Sequence, residues 1–171
     1  MDVQLKVGPE RLAITSLDVS DENSIGHWAA NLSGVEPVAR HGGVVDVVIN
    51  NAGTTGTDGY TKWELQDMDA QEMMHGFKIN TIGPLLVTQQ LLKNGIIGDV
   101  KKQANGALIG NVTSKVGSVD DNGSGKGYAY RASKAALNIV NKSMSIDLAD
   151  RNVTCLLLHP GWVRTRMTEG R

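Results

Sequence analysis

The sequence has very little cysteine. Cys155 is the only one in 171 residues, so no disulfide can form within the chain, and a reducing compartment is the expected setting. It also lacks a dominant charge. Lys and Arg number 17 against 18 Asp and Glu, for a formal net charge of −1. That balance gives no support for a nucleic-acid or polybasic membrane partner, so any specificity must come from a local site. No apolar run approaches the roughly 18–20 residues needed to span a bilayer. Residues Met1 to Lys6 carry no apolar core like that of a secretory signal. A soluble, cytoplasmic protein is expected. What is present is ordinary for a globular chain, with 40% apolar and 20% charged residues, and the length suits one domain.

Four short apolar runs read as strands. They are Leu12–Leu17 ending on Asp18, Val44–Ile49 ending on Asn50, Ala107–Val112 ending on Thr113-Ser114, and Val153–Leu158 ending on His159-Pro160-Gly161. They are near-continuously apolar and do not alternate strictly, as expected of parallel strands buried on both faces. Between them lie three helical segments. The first follows Asp21, a plausible N-cap, and runs to about Ala39, with Ile25, Trp28, Ala29 and Leu32 on one face. The second runs from about Asp69 to Lys93, and Gly83-Pro84 predicts a kink inside it. The third runs from about Tyr128 to Ala149, with Leu137, Val140, Met144 and Leu148 on its apolar face. Strands alternating with helices predict a doubly wound α/β sheet. Asp120–Gly127 reads as a mobile surface loop. Ligands of such sheets bind beyond the carboxyl ends of the strands, and these four strand ends carry Asp18, Asn50-Asn51-Ala52-Gly53, Ser114 and Pro160-Gly161.

Tyr130 and Lys134 stand four residues apart at the start of the third helix, hence on one face. A phenol has a pKa near 10 and is a poor acid or base at neutral pH. A neighbouring ammonium favours the phenolate and makes the pair usable for proton transfer. Tyr128 lacks such a partner, since Ala132 is its i+4 neighbour. Taken singly, each feature has a plain structural reading. The Tyr–Lys pair can be a surface or core pair, Ser114 a turn residue, Asn80 a solvated helix residue, and Asn50–Gly53 a tight turn.

Taken together, in order, these residues resemble a known family. The set Asp18-Val19, NNAG at 50–53, Asn80, Ser114 with Gly117, YRASK at 130–134 and PGWVRT at 160–165 is similar to the short-chain dehydrogenases/reductases. The flavour is that of the carbonyl-reductase branch that includes C-factor and sniffer-type proteins. The match runs from about residue 12 to residue 167. The resemblance implies a Rossmann-like fold and hydride transfer between NAD(P)H and a small carbonyl or alcohol, with NADP slightly favoured over NAD. It implies that Tyr130 exchanges the proton, Lys134 lowers the Tyr130 pKa and holds ribose hydroxyls, Ser114 polarises the carbonyl, and Asn80 positions a relay water. Asp18 and Val19 would flank the adenine, and Asn50, Ala52 and Gly53 would line the adenosine ribose. Pro160, Gly161, Val163 and Thr165 would hold the carboxamide end. No metal is implied. The second and third helices would form a homo-oligomer surface.

The family opens with a strand and a TGxxxGxG turn that grips the pyrophosphate. Neither that pattern nor GxGxxG occurs among the 20 glycines. By the same resemblance the first βαβ unit and the C-terminal end are missing. The expectation is therefore a single partial NAD(P)-binding Rossmann-like domain over residues 1–171. The alternative is a truncated, catalytically inactive fragment or an interaction module.

Overall fold

The computed structural model describes residues 8, 10–59, 62–165 and 167. The expectation placed on Met1–Lys6 lies outside the described residues. Three of the four expected strands pair. β1 (Val47–Asn50), β2 (Ala107–Val112) and β3 (Val153–Leu158) form a parallel sheet in the order β1-β2-β3. The register sets Val48 beside Ile109 and Ile109 beside Cys155. The β1 run begins later than its sequence, because the Val45 N–H bonds the Ile96 carbonyl outside the sheet.

Leu12–Leu17 is the exception. It belongs to no strand among the described residues. A strand is defined by pairing, so apolar composition alone does not make one. Leu17 and Val19 nevertheless pack against the core, and the Trp28 indole N–H donates to Thr15 Oγ1 at 3.1 Å.

The first helical segment divides. α1 (Glu22–Leu32) starts at Asp21, whose carboxylate accepts the Asn23 N–H, and α2 (Glu36–Arg40) restarts with Pro37 in its first turn. Proline fits a helix start and not its interior, and Ser33–Val35 separates the two helices. The second segment stays continuous but changes winding. α3 (Ala70–Phe77), capped by Asp69, passes through a π-helical turn at Lys78–Ile82 into α4 (Gly83–Lys93). Pro84 has no N–H for the carbonyl of Asn80, so the usual i→i−4 bond is lost and the wider turn absorbs the defect. α5 (Tyr128–Asp147) is the long helix, and it ends two residues before Ala149, which opens a 3₁₀ turn.

The helices cover the sheet face that carries Val48, Ile109 and Cys155. There Ile25, Ala29, Leu91, Ile97, Met144 and Leu148 form one core with the strands. Burying each large aliphatic side chain contributes about 1.5–3 kcal/mol. The opposite face stays apolar but open among the described residues, with Val47 at 55% and Ile49 at 59% exposure. Strands apolar on both faces are those of a sheet made to be covered twice. Among the described residues no helix is long and apolar enough to cross a membrane.

Candidate active site

The carboxyl ends of β1 and β2 and the first turns of α5 meet at one place. Lys134 stands on the inner face of α5 and is 4% exposed. Its Nζ donates to the Val112 carbonyl at the end of β2, at 2.7 Å, and lies 5.9 Å from the centre of the Tyr130 ring. Burial disfavours the ammonium and lowers the Lys134 pKa to about 8. The group thus stays charged at neutral pH, one helical turn from the phenol. Tyr130 is partly buried, while Tyr128 is largely exposed.

Gly53 closes this corner. A Cβ there would stand 3.2 Å from Asn80 Oδ1 and 3.7 Å from Lys134 Nζ. The small residue lets the β1 turn lie directly against both side chains. Asn80, in the π turn, is fully buried. Its Oδ1 accepts the Thr54 N–H, and its Nδ2 donates to the Thr54 carbonyl and to Ser133 Oγ, all at 2.8–2.9 Å. Ser133 Oγ in turn donates to the Tyr130 carbonyl. The Asn80 side chain therefore pins the loop after NNAG to the Tyr130–Lys134 turn.

Ser114 follows β2 and caps a 3₁₀ turn at Lys115–Gly117, its Oγ accepting the Val116 N–H at 3.4 Å. Gly117 packs that turn onto α5, since a Cβ would meet the Lys134 carbonyl carbon at 2.8 Å. Asn50 Nδ2 donates to Asn111 Oδ1 at 2.8 Å.

Beyond the end of β1, Leu17, Val19, Ile49, Asn50, Asn51, Ala52, Ile79, Pro84 and Val87 line a pocket of about 180 Å³. Val19 reaches it because Gly83 leaves room for the Val19 carbonyl, which a Cβ would approach to 2.8 Å. Asp18 accepts both the hydroxyl and the amide of Ser20, which hold its pKa below the usual carboxylate value. Pro160, Gly161, Val163 and Thr165 stand exposed after β3.

Comparison with known proteins decides the family. The short chain dehydrogenase family model matches residues 4–171. The chain belongs to the short-chain dehydrogenase family. It is 45% identical over 126 residues to C-signal of Myxococcus xanthus, covering 73% of this chain and 69% of that one. It is 37% identical over 154 residues to 1-hydroxy-2-glutathionyl-2-methyl-3-butene dehydrogenase of Rhodococcus sp. (strain AD45), covering 90% of this chain and 59% of that one. Among solved structures it resembles carbonyl reductase Sniffer of D. melanogaster, with a TM-score of 0.78 and 30% identity over 90% of this chain. The NADPH-bound carbonyl reductase from chicken fatty liver gives a TM-score of 0.77 and 31% identity over 91% of this chain. This short-chain dehydrogenase chain spans 61% and 60% of those two structures.

Several contributors to the site escaped the sequence reading. Asn111 (0% exposed) and Asn141 extend the amide contact of Asn50 inward, Asn111 Nδ2 donating to Asn141 Oδ1 at 2.8 Å. A polar residue inside an apolar strand must be bonded, and Asn141 falls seven residues after Lys134 on the buried face of α5, so both were visible in principle. Glu72, 1% exposed, accepts the N–H and hydroxyl of Thr57 and ties the 54–59 loop to α3. Trp63 sets its ring 6.5 Å from that of Tyr130, a contact no local pattern announces.

Proposed function

We propose that this chain carries the catalytic half of an NAD(P)H-dependent reductase that interconverts a small carbonyl compound and its alcohol. The observation that supports this best is the buried Lys134 ammonium beside the Tyr130 ring, in a corner built from Gly53, Asn80 and the end of β2. Residues 1–171 act in this reading as one partial dinucleotide-binding Rossmann-like domain.

The residues present fit two ends of a nicotinamide dinucleotide. The apolar pocket lined by Val19, Ile49, Asn50 and Ala52 suits a flat adenine and its ribose, and Asp18 and Gly53 stand next to Val19 and Ala52 in the chain. Lys134 has two N–H groups beyond the one given to Val112 and would hold ribose hydroxyls at the other end. Pro160, Gly161, Val163 and Thr165 would serve the carboxamide. Two related structures carry NADPH and NADP, and NADP(H) is the favoured partner here. Bound, the dinucleotide supplies or accepts hydride.

The chain's own part is proton transfer and orientation. Tyr130 Oη would donate its proton to the carbonyl oxygen as negative charge develops there. Lys134, charged at neutral pH, stabilises the resulting phenolate. Ser114 accepts only a long backbone contact, and its O–H would donate to the same oxygen. Asn80 is proposed for the proton relay toward Lys134, with its side chain already anchoring the loop.

Tyr130→Phe tests this reading. It should lower NADPH-dependent reduction of benzaldehyde by about 10²–10⁴-fold while leaving NADPH affinity unchanged. A fully active Tyr130→Phe variant would sink the assignment. An interaction module without turnover is the alternative, and titration with NADPH separates the two, since saturable binding belongs only to the reductase reading. The homo-oligomer surface on α3–α4 and α5 is likewise a proposal, supported by exposed Met74, Ile139 and Ile146 and tested by sedimentation.

A further inference from the structure

The segment between Ser114 and Tyr130 is exposed over residues 118–126, yet it is not loosely attached. Arg131 reaches across it. Its Nε donates to the Gly125 carbonyl at 3.1 Å and the Lys126 carbonyl at 3.0 Å. Its Nη1 donates to the Val116 carbonyl at 3.3 Å, and its Nη2 to Ser124 Oγ at 2.8 Å. One side chain thus binds both limbs of the loop.

The backbone is shaped for this. Gly125, Lys126 and Gly127 adopt φ of +61°, +59° and +62° in succession. Lys126 is the costly member, because a left-handed conformation is unfavourable for a residue with a Cβ. Such conformers persist only where the surroundings over-determine them. Here the surroundings are Arg131 on one side and the 62–65 segment on the other. Lys126 Nζ pairs with Glu64 at 2.6 Å, and the Gly127 N–H donates to the Trp63 carbonyl at 2.8 Å. A Cβ on Gly127 would strike the Trp63 ring, which faces Tyr130.

We propose that Arg131 is a positioning residue that holds the 116–127 loop and Trp63 as one wall beside Tyr130, and through that wall sets the affinity for the carbonyl substrate. Next to Tyr130 on the helix, Arg131 projects about 100° away from it, so it acts on the loop and not on the phenol. The acceptors are spread over four residues, which suits a planar guanidinium with five donors and not a lysine. The inference rests on the reductase reading given above.

The test uses Arg131→Met and Arg131→Lys, with benzaldehyde and NADPH as probes. In Arg131→Met, hydrogen exchange over residues 118–127 should rise by roughly tenfold or more, with α5 beyond Leu137 unchanged. KM for benzaldehyde should rise about tenfold, with kcat within about twofold and NADPH affinity unchanged. Arg131→Lys should fall between, and it provides the measurement if Arg131→Met does not fold. Unchanged loop exchange, or a fall in kcat at constant KM, overturns the proposal. A wild-type chain with no turnover counts against the reductase reading itself. In that case the exchange measurement alone decides whether Arg131 clamps the loop.

Discussion

Replacing Lys134 by Met tests whether this site is held at the expense of stability. Burial lowers the Lys134 pKa from 10.5 to about 8. Below about pH 8 the folded chain must carry a desolvated ammonium, at a cost near 3 kcal/mol, since one pKa unit is worth about 1.4 kcal/mol. The sign follows from linkage. Between the folded and unfolded pKa values the unfolded chain binds the extra proton, so folding stability rises with pH. From about pH 7 to about pH 9.5 the penalty falls by more than half, so wild type should gain roughly 2 kcal/mol on Lys134→Met. The Val112 carbonyl loses its donor in the variant. That offset, about 1–3 kcal/mol, does not titrate in this range, so the change with pH isolates the ammonium. Urea unfolding of both proteins at the two pH values measures it. A stability difference that stays constant with pH, or that moves toward the variant as pH rises, would refute the claim that Lys134 is held charged and desolvated.

Two further substitutions probe the frame around the site. Asn111→Ala removes the middle amide between Asn50 and Asn141, and the partners left unpaired should cost about 2–3 kcal/mol in urea unfolding. A loss under about 0.5 kcal/mol would show that the amide chain is not structural. Gly117→Ala drives a Cβ to 2.8–2.9 Å of Lys134 and Ala135 backbone atoms, which cannot swing aside. It should cost roughly 1–3 kcal/mol, whereas Gly123→Ala, with nothing within 4 Å, should be near neutral by the same melt.

The parts of the fold legible in the sequence were those set by near neighbours along the chain. Asp21 caps its helix as expected, and Asp69, the expected start of the next, proves to be its cap; an N-cap needs only a side-chain oxygen two or three residues before its partner N–H. The face of Leu137, Met144 and Leu148 is buried as its spacing predicts. Leu12–Leu17 shows where such reasoning stops. Its apolar run is that of a strand, but a ladder requires a second chain segment that no local pattern can supply. The kink predicted at Gly83-Pro84 is real as a defect, yet the helix resolves it as a π turn, within which Asn80 bonds Thr54 and Ser133.

Local pattern along the chain sets the alternation of the three paired strands with helices, the polar residues at the strand ends, and the placing of Tyr130 and Lys134 on one face. All of these depend on backbone periodicity and on separations of a few residues. What those residues feel is settled by partners far away in the chain. Lys134 meets a carbonyl 22 positions away, Asn50 an amide 61 positions away, and Lys126 a carboxylate 62 positions away. Sheet register and helix packing create those encounters. A side chain's pKa and anchoring follow from what lies across from it in space, and not from what stands beside it in the chain.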